Sequence, residues 1–511
     1  MATLPGNANL AQAIADALAL HGAIPALELS DGKLISRMDL LDQVLHMAGA
    51  LAAAGVGPGD RVTVQAEKSV AALALYLATL AVGAVFNPLN SAYTSAEASY
   101  FLADAEPAAV VASAAQLKEL EPVARRHGAR ALFTLEADGS GTLADAARAA
   151  KPLGSPYPRD PDDLAALLYT SGTTGRSKGA MITHDNLASN AAALIEIWGL
   201  VAGETLIHAL PIFHVHGLFV AINTALLGGL KMIWQEKFET QAILAQLPHA
   251  QVMMGVPTFY TRLLAEPALD RQAFAHMRLF ISGSAPLLPQ THAAFHERTG
   301  HAILERYGMT ETGMIASNPL HGDRIAGSVG YALPGVSVRI AEGKFGERPS
   351  GSTGMVEVRG PNVFKGYWRL PEKTREEFTA DGFFVTGDQG FLSDDGRLTL
   401  VGRAKDLIIT GGLNVYPAEI EQALNGLPGI AESAVIGVPH PDYGEAVVAI
   451  VVARAADAAP PAEAQIIAAL AQRLAKFKCP KRIVVLAELP RNAMGKVSKA
   501  ALRERYKGLL G

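Results

Sequence analysis

The chain has 511 residues, of which 50% are hydrophobic and 18% charged, and its formal net charge is −5. This balance is typical of a soluble globular protein, and it gives no basic surface for a nucleic-acid partner. The chain is too long for one compact core, so we expect two or more domains. The single cysteine, Cys479, excludes an internal disulfide framework and favours a reducing, cytoplasmic location.

No secretion signal or membrane span is predicted. The N-terminus, MATLPGNANL, has no basic region followed by a long apolar stretch. Two long uncharged runs could be read as membrane spans. The run 69–96 is interrupted by glycine, proline and asparagine, and the run 205–230 by histidine, proline and asparagine. Buried helices and strands of a large α/β core explain both runs better than a bilayer does, so we expect no membrane partner.

The first 150 residues alternate helical and strand-like patterns. The run LLDQVLHMAGALAAAG is apolar at helical spacing and ends at a glycine, the short strand DRVTVQAE follows, and SVAALALYLATLAVGAV reads as a buried helix. YFLADAEPAAVVAS repeats the alternation. This order predicts a largely parallel sheet covered by helices.

A loop rich in small residues and hydroxyls follows the apolar segment DDLAALLYT. It reads YTSGTTGRSKG, from Tyr169 to Gly179. A loop with so few large side chains can turn its N–H groups inward around an anion, and Lys178 adds a positive charge, so we predict a polyphosphate site. The spacing is not that of a P-loop. The alternative is a flexible Ser/Gly linker, but linkers rarely follow an apolar strand and end in Lys-Gly.

The secondary-structure pattern of the remaining chain changes twice. Helix and strand patterns continue to about residue 326, and glycine-rich turns and short strands then indicate a β-rich subdomain over about 327–403. A fresh αβ pattern begins after 403. We therefore predict an α/β protein with a large N-terminal domain, 1–403, of helix-covered sheets plus the β-rich subdomain, and a small, mobile α+β C-terminal domain, 404–511.

Five further motifs accompany the loop in a fixed order: ISGSAPL, RYGMTETG, FFVTGDQG, GRAKDLI and LPRNAMGKVSK. With these, the chain resembles the adenylate-forming enzymes over essentially its whole length. That family includes acyl-CoA synthetases, luciferases and peptide-synthetase adenylation domains. The resemblance implies ATP as a substrate, Mg²⁺ as a cofactor and two half-reactions that share one pocket.

The resemblance assigns roles to residues of these motifs. Tyr307 would stack on adenine, Thr310 would bond the α-phosphate, Glu311 is an oxygen ligand suited to Mg²⁺, and Asp388 would accept the ribose hydroxyls with Arg403 beside it. The predicted nucleotide-binding set is Thr170, Ser171, Gly172, Thr173, Thr174, Gly175, Lys178, Ser284, Ala285, Pro286, Glu305, Arg306, Tyr307, Gly308, Met309, Thr310, Asp388 and Arg403.

The C-terminal domain would supply a catalytic lysine and a CoA-facing surface. By resemblance Lys496 is the catalytic lysine, which would stabilise charge during adenylation, with Lys499 as the alternative. The hinge would be Lys405, two residues after the arginine of GRAKDLI. Rotation about it would bring Gly411 and Gly412 towards CoA.

The segments HALPIFHVHGLF and GVPTFYTRLL look most like those of malonyl-CoA synthetases. Here His214, Ser282 and Arg262 are the predicted acyl-site residues, because an arginine in the acyl site would pair with a second carboxylate. His216 is read as a packing residue, since no second histidine pair supports a metal site. The alternative for Arg262 is a surface pair with Glu266.

The predicted activity is an ATP-dependent malonyl-CoA synthetase that forms malonyl-AMP and pyrophosphate, then malonyl-CoA and AMP. Departures at Phe213, Val215 and 313–314 leave methylmalonate or another short acid open. A peptide-synthetase module and a non-catalytic nucleotide-binding protein are the rivals. A lysine acyltransferase acting on Lys496 is a further candidate partner.

Overall fold

The computed structural model describes residues 7–170, 177–267, 269, 271–341, 349–411, 413–454, 462–492 and 495–510. Several predicted phosphate-loop and CoA-side positions lie outside the described residues: Ser171, Gly172, Thr173, Thr174, Gly175 and Gly412.

The helices of the described residues cover both predicted domains. Those of the α type are α1 (Leu10–Leu20), α2 (Arg37–Ala53), α3 (Val70–Ala81), α4 (Ser95–Ala105), α5 (Ala114–Arg126), α6 (Thr142–Ala149), α7 (His184–Ile197), α8 (Asn223–Leu227), α9 (Thr240–Gln246), α10 (Pro257–Leu264), α11 (Pro289–Thr299), α12 (Pro371–Glu376), α13 (Pro417–Asn425), α14 (Glu463–Ala471) and α15 (Lys499–Tyr506). A π-helix, His216–Ile222, leads directly into α8, and short 3₁₀ turns include Ala404–Asp406.

The strands form three sheets. In chain order they are β1 (Leu27–Leu29), β2 (Leu34–Ile35), β3 (Arg61–Gln65), β4 (Val85–Pro88), β5 (Ala109–Ala112), β6 (Ala131–Thr134), β7 (Leu164–Thr170), β8 (Lys178–Thr183), β9 (Thr205–His208), β10 (Lys231–Trp234), β11 (Val252–Gly255), β12 (Leu279–Ser282), β13 (Leu304–Met309), β14 (Gly313–Ser317), β15 (Ser328–Ala332), β16 (Ser337–Ala341), β17 (Gly354–Arg359), β18 (Phe384–Leu392), β19 (Leu398–Arg403), β20 (Ile408–Thr410), β21 (Leu413–Val415), β22 (Ile430–His440), β23 (Gly444–Ala453) and β24 (Arg482–Leu486).

Local sequence chemistry starts several of these helices. Ser36 caps α2 by accepting the Asp39 N–H, and Thr94 and Glu97 form a reciprocal capping box at α4. Thr183 caps α7 in the same way, directly after β8. The start of α7 is therefore fixed at the end of β8, the strand that follows the phosphate loop.

Two of the sheets belong to the N-terminal part. One has the order β6-β5-β3-β4-β7-β8, parallel except for the β7–β8 hairpin that encloses the phosphate loop. The other has the order β16-β17-β18-β19-β15-β14-β13-β12-β11-β9-β10-β1-β2 and is parallel from β13 to β1. One apolar cluster contains side chains of α1, α2, α3 and α7 together with strands of both sheets.

The β-rich region and the C-terminal part differ in how they join this frame. Strands β15 to β19 lie in the region that was predicted to be rich in strands; their pairings are antiparallel, and they continue the large sheet. Strands after residue 403 form the third sheet, β21-β20-β23-β22 with β24 beside β23, and it has its own apolar cluster. The predicted boundary at 403/404 thus falls between two sheets. Among the described residues, no helix has the length and apolar character needed to cross a membrane.

Candidate functional site

The loops that carry the predicted site lie at the carboxyl ends of neighbouring parallel strands. The segment 209–215 follows β9, α10 follows β11, the GSAP turn follows β12, and the turn with Thr310 follows β13. Ligands of open α/β sheets bind outside these ends. Strands β18 and β19 bring Asp388 directly opposite Arg403. The sheet therefore collects motifs that are up to about two hundred residues apart in the chain.

At the nucleotide end, the ribose-binding candidate is held by two partners. The Arg403 Nε lies 2.7 Å from Asp388 Oδ1, and the Tyr307 hydroxyl donates to Asp388 Oδ2. Burial raises the pKa of Asp388, while the charge of Arg403 and the hydrogen bond from Tyr307 act against this rise. The two contacts fix the ring of Tyr307 and keep Asp388 in place for a ligand.

Glu311 is buried beside the end of the phosphate loop. Its Oε1 accepts from the Tyr367 hydroxyl at 3.1 Å and from Thr170 Oγ1 at 3.4 Å. Burial raises the pKa of Glu311, and a nearby cation would favour its charged form. A buried carboxylate with an adjacent hydroxyl is a donor set that fits Mg²⁺, which keeps most of its ligands from water and phosphates.

The loop lysine has partners that the sequence did not reveal. Lys178 Nζ lies 2.9 Å from Glu377 Oε1 and 3.8 Å from the centre of the Tyr367 ring, and the Tyr367 hydroxyl lies 2.7 Å from Glu377 Oε2. These residues come from YWRLPEKTREEF, which carries no recognised motif. The pairing joins positions 199 residues apart, so local pattern could not have found it.

Two other predicted nucleotide residues have structural partners. Glu305 is buried and accepts the Gly327 N–H at 2.9 Å, and burial raises its pKa to about 7. Gly308 packs so tightly that an added Cβ would lie 2.2 Å from the Gly313 oxygen. Gly308 therefore leaves no room for a side chain beside Gly313, and Glu305 links β13 to the residue before β15.

The end of the cleft near the predicted acyl-site residues, the predicted acid end, contains a buried guanidinium with free donors. It belongs to Arg306, which the resemblance placed in the nucleotide-binding set. Arg306 is 4% exposed, and its Nε and Nη2 have no hydrogen-bond partner among the described residues. It lies over Gly283, where an added Cβ would come within 2.3 Å of Arg306 Cζ. Burial lowers the pKa of Arg306 to about 9. The neighbouring Ser282 hydroxyl is also buried without a partner in the same set.

Two histidines lie close enough to Arg306 to be affected by its charge. Burial lowers the pKa of His214 to about 3 and that of His216 well below its usual range, so both are neutral. Ser284 has a positive backbone φ of 70°, and its hydroxyl lies 3.2 Å from His216 Nδ1. His214 Nδ1 and His216 Nε2 have no described partner. His216 is buried, which fits the predicted packing role, and it also contacts the Ser284 hydroxyl.

Arg262 contradicts the prediction that it enters the acid pocket. Its side chain is exposed on α10, 6.0 Å from the centre of the Phe238 ring. The buried face of α10 consists of Phe259, Tyr260 and Leu263, and Arg262 points about 100° away from that face. A helix of this amphipathic pattern leaves the arginine in solvent, and Arg306 is the desolvated guanidinium instead.

The C-terminal lysine reaches this cleft. Lys496 as a whole is exposed, because its side chain extends into the open cleft. The amine at its end is surrounded by protein groups, and this partial desolvation lowers the pKa of Lys496 to about 8. The charges of Arg403, Asp388, Arg306 and Glu311 all affect it. Its neighbour in sequence approaches α10, since a Cβ on Gly495 would lie 3.8 Å from Thr258 Oγ1.

The alternative lysine is held elsewhere. Lys499 Nζ lies 2.6 Å from Glu421 Oε1, on the first turn of α15. This ion pair lies inside the C-terminal domain and directs the amine to α13. The geometry therefore favours Lys496 over Lys499.

The predicted hinge lies in the short turn between β19 and β20. Lys405 is the middle residue of this 3₁₀ turn, and its pKa is lowered by burial. The next residue, Asp406, forms an ion pair with Arg503 of α15 at 2.7 Å. Gly411, at φ 56°, donates its N–H to the Tyr443 carbonyl at 2.9 Å, which fixes one side of the predicted CoA-facing turn.

The predicted site residues divide between two ends of one cleft. Carboxylates and hydroxyls suited to a nucleotide lie at one end of the cleft, free cationic donors lie at the other, and a lysine from a separate domain enters between them. Groups of three or more His, Cys, Asp or Glu that could hold a metal by themselves are absent from the described residues.

Comparisons with known proteins agree with this architecture. The sequence matches the AMP-binding enzyme family over residues 11–368 and its C-terminal domain over 419–496. It is 35% identical to a malonate–CoA ligase of Arabidopsis thaliana, covering 87% of this chain and 78% of that one. It is 36% identical to a feruloyl-CoA synthase of an Amycolatopsis species, covering 93% and 94%.

A solved structure covers nearly the whole fold. ATP-bound MatB from Rhodopseudomonas palustris is 52% identical, covers 99% of this chain and 100% of its own, and superposes with a TM-score of 0.96. This chain belongs to the AMP-binding enzyme family. Its activity is that of an AMP-forming acid–thiol ligase.

Proposed function

We propose that the protein is an ATP-dependent malonate–CoA ligase that makes malonyl-AMP and pyrophosphate, and then malonyl-CoA and AMP. One observation carries the choice of acid: two nitrogens of the buried Arg306 guanidinium, Nε and Nη2, have no hydrogen-bond partner among the described residues at the acid end of the cleft. A buried cation with free donors fits a second carboxylate. The malonate–CoA ligase relative supports the same choice.

In this proposal Arg306 holds the carboxylate that does not react. The Ser282 hydroxyl, which precedes Gly283, and the neutral His214 imidazole add hydrogen bonds to the acid. The reacting carboxylate is thereby directed to the nucleotide end, where positioning accounts for most of the rate gain. Lys496 adds a positive charge at the developing negative charge during adenylation.

The nucleotide end would bind ATP through Asp388, Arg403, Tyr307 and Thr310. When bound, Mg²⁺ neutralises phosphate charge, and Glu311 with Thr170 would hold it. The thioester step needs CoA at the same pocket. Rotation about Lys405 would withdraw Lys496 and bring the turn at Gly411 towards CoA.

A second activity, ligation of an aromatic acid, is represented among the relatives by feruloyl-CoA synthase. A monocarboxylate would leave the donors of Arg306 unpartnered, which is costly in a buried site. Methylmalonate carries both carboxylates and differs by one methyl group, so it fits the same charge arrangement. The observation at Arg306 therefore favours a short dicarboxylate over ferulate.

The test measures AMP formation with ATP, Mg²⁺ and CoA across malonate, methylmalonate, succinate, butyrate and ferulate. We expect the highest kcat/KM for malonate or methylmalonate, and values lower by at least two orders of magnitude for butyrate, as the loss of a buried charge pair implies. A preference for butyrate or ferulate would contradict the proposal.

We also propose that acylation of Lys496 would switch off adenylation, because it removes the positive charge. A lysine acyltransferase would be the partner. Mass spectrometry of the protein after treatment with an acyl donor and such an enzyme tests this. Modified protein that still releases pyrophosphate at the normal rate would exclude it.

A further inference from the structure

A buried lysine without an acidic partner joins the two N-terminal sheets. Lys68 follows β3 of the smaller sheet and is 9% exposed. Its Nζ reaches the carboxyl ends of β9 and β10 in the larger sheet, at 2.7 Å from His208 Nδ1, 2.8 Å from the His208 carbonyl and 2.6 Å from the Gln235 carbonyl. No described carboxylate forms an ion pair with it.

The geometry satisfies a charged ammonium group. An ammonium has three N–H donors, and three acceptors surround this one. The Trp234 ring, 4.4 Å away at its centre, adds a cation–π contact. Burial lowers the pKa of Lys68 well below its ordinary value, so this position costs free energy that an apolar side chain would not. A lysine so placed needs a role that methionine cannot fill.

The contact with Lys68 also orients His208. Because Nδ1 accepts from the ammonium, the ring proton is on Nε2, which lies 2.9 Å from the Gly217 carbonyl and donates to it. Burial, and then the charge of Lys68, keep the pKa of His208 well below its usual range, so the ring stays neutral. The imidazole is therefore fixed in one tautomer between a lysine and a helix.

The helix it holds is the π-helix His216–Ile222. Gly217 packs against the preceding loop so closely that a Cβ would lie 2.0 Å from the Pro211 oxygen. Single π-turns occur often at functional sites because the wider turn redirects side chains. Here the residue before Gly217 is His216, which lies close enough to Arg306 to be affected by its charge, and whose Nδ1 lies 3.2 Å from the hydroxyl of Ser284, two residues after Ser282.

We propose that Lys68 is a positioning residue for acid binding: it holds His208, which anchors Gly217 and so sets His216 against Ser284. The contacts run from a loop of one sheet, through the ends of two strands of the other, to the wall that faces Arg306. This inference rests on the proposed acid end of the cleft, and it does not depend on which acid binds there.

The test compares Lys68→Met with Lys231→Met. Lys231 begins β10, the strand whose far end Lys68 contacts, and it pairs with Glu28 at 2.6 Å. Both variants remove a partly or fully buried lysine amine, but Lys231 lies away from the acid end. Pyrophosphate exchange is measured with whichever acid the wild-type protein activates best, so that the wild-type panel alone decides the proposed function.

We expect Lys68→Met to raise KM for the acid roughly tenfold, as the loss of buried hydrogen bonds implies, and to leave KM for ATP near its wild-type value. Lys231→Met should change neither. Lys68→Gln, which keeps N–H donors without the charge, should recover part of the loss. Equal changes in both KM values, or the same behaviour in both methionine variants, would overturn the proposal.

A measurement on the wild-type protein covers the case in which Lys68→Met and Lys68→Gln do not fold. Nitrogen NMR of ¹⁵N-histidine-labelled protein, with His208 assigned through His208→Gln, reports which ring nitrogen carries the proton. We expect a neutral ring protonated at Nε2 from pH 6 to 9. A proton on Nδ1 would mean that Lys68 does not donate to this ring, and the proposal would fail.

Discussion

The two ends of the cleft differ in how their charged groups are partnered. At the nucleotide end Asp388 pairs with Arg403, and Lys178 pairs with Glu377. At the acid end Arg306 keeps two buried donors without a described partner. Buried polar groups are normally hydrogen-bonded, and leaving one unpaired is costly.

This difference indicates how much hydrogen bonding a ligand can gain at each end of the cleft. A ligand at the nucleotide end exchanges one set of hydrogen bonds for another, so net gains there are modest. A carboxylate at the acid end supplies partners that the protein lacks. Specificity for the acid should therefore depend on few residues, and the following four predictions test this contrast from the largest expected effect to the smallest.

Lys496→Ala should lower the rate of adenylation about a thousandfold, because it removes the mobile charge that lies between the two ends. Thioester formation from supplied acyl-AMP should be largely spared. Pyrophosphate release and acyl transfer are measured separately. Lys499→Ala is the control and should adenylate near the wild-type rate, since Lys499 pairs with Glu421. Equal losses in both half-reactions of Lys496→Ala would contradict the assignment.

Arg306→Leu should lower kcat/KM for malonate several hundredfold, the range expected for about 3–5 kcal/mol when a desolvated charge partner is lost. Butyrate should be used as well as before or better. Arg262→Leu is the matched control, since that arginine is exposed on α10, and it should leave both values near wild type. Parallel losses for malonate and butyrate in Arg306→Leu would place its role in the fold or the nucleotide site.

Lys405→Pro should restrict the backbone at the hinge and slow the CoA-dependent step at least about tenfold. Pyrophosphate release should persist, because Lys496 already lies in the cleft in this structure. Lys405→Ala is the control for loss of the side chain alone. A normal rate of thioester synthesis in the proline variant would show that the pivot is elsewhere.

The pH profile of adenylation should show its first basic limb near pH 8. The pKa of Lys496 is lowered to about 8, so the charged form is lost as pH rises through that value, and kcat/KM should fall about tenfold between pH 8 and 9, before Arg306, with its pKa of about 9, loses its own charge. Lys496→Arg should shift the limb upwards. His214, with its pKa lowered to about 3, should add no acidic limb near neutrality. A flat profile from pH 7 to 10 would contradict the role of the lysine charge.

The features that could be predicted from the sequence are those whose residues lie close together along the chain. Tyr307, Thr310 and Glu311 share one short motif, and helix–strand alternation predicted parallel sheets. The apolar run at 213–227 is typical of a buried helix, but the segment His216–Ile222 is π-helical, and an apolar run fits either form. That strands β15 to β19 extend the large sheet depends on pairings between distant strands, which carry no local signal.

The site predictions failed or stopped where burial decides the outcome. Both Arg262 and Arg306 are arginines near an expected pocket wall, and only packing shows that one faces solvent and the other is desolvated. Glu377 and Lys68 were not singled out because their partners lie in other segments, 199 and 140 residues away. Such pairings are set by tertiary structure and not by spacing along the chain.

The ion pair between Asp406 and Arg503 couples the predicted hinge to the last helix of the described chain. It fastens the residue just past the pivot to α15, the helix that directly follows the Lys496 loop. In the proposed rotation, a small torsional change at Lys405 would therefore turn the part of the chain that carries α15 as one piece, and the displacement would grow with distance from Lys405. Arg503→Met should slacken this coupling and slow transfer to CoA more than adenylation, which the two half-reaction assays would measure. In the proposed mechanism, a rotation at one peptide unit would thus replace Lys496 in the cleft with the turn at Gly411.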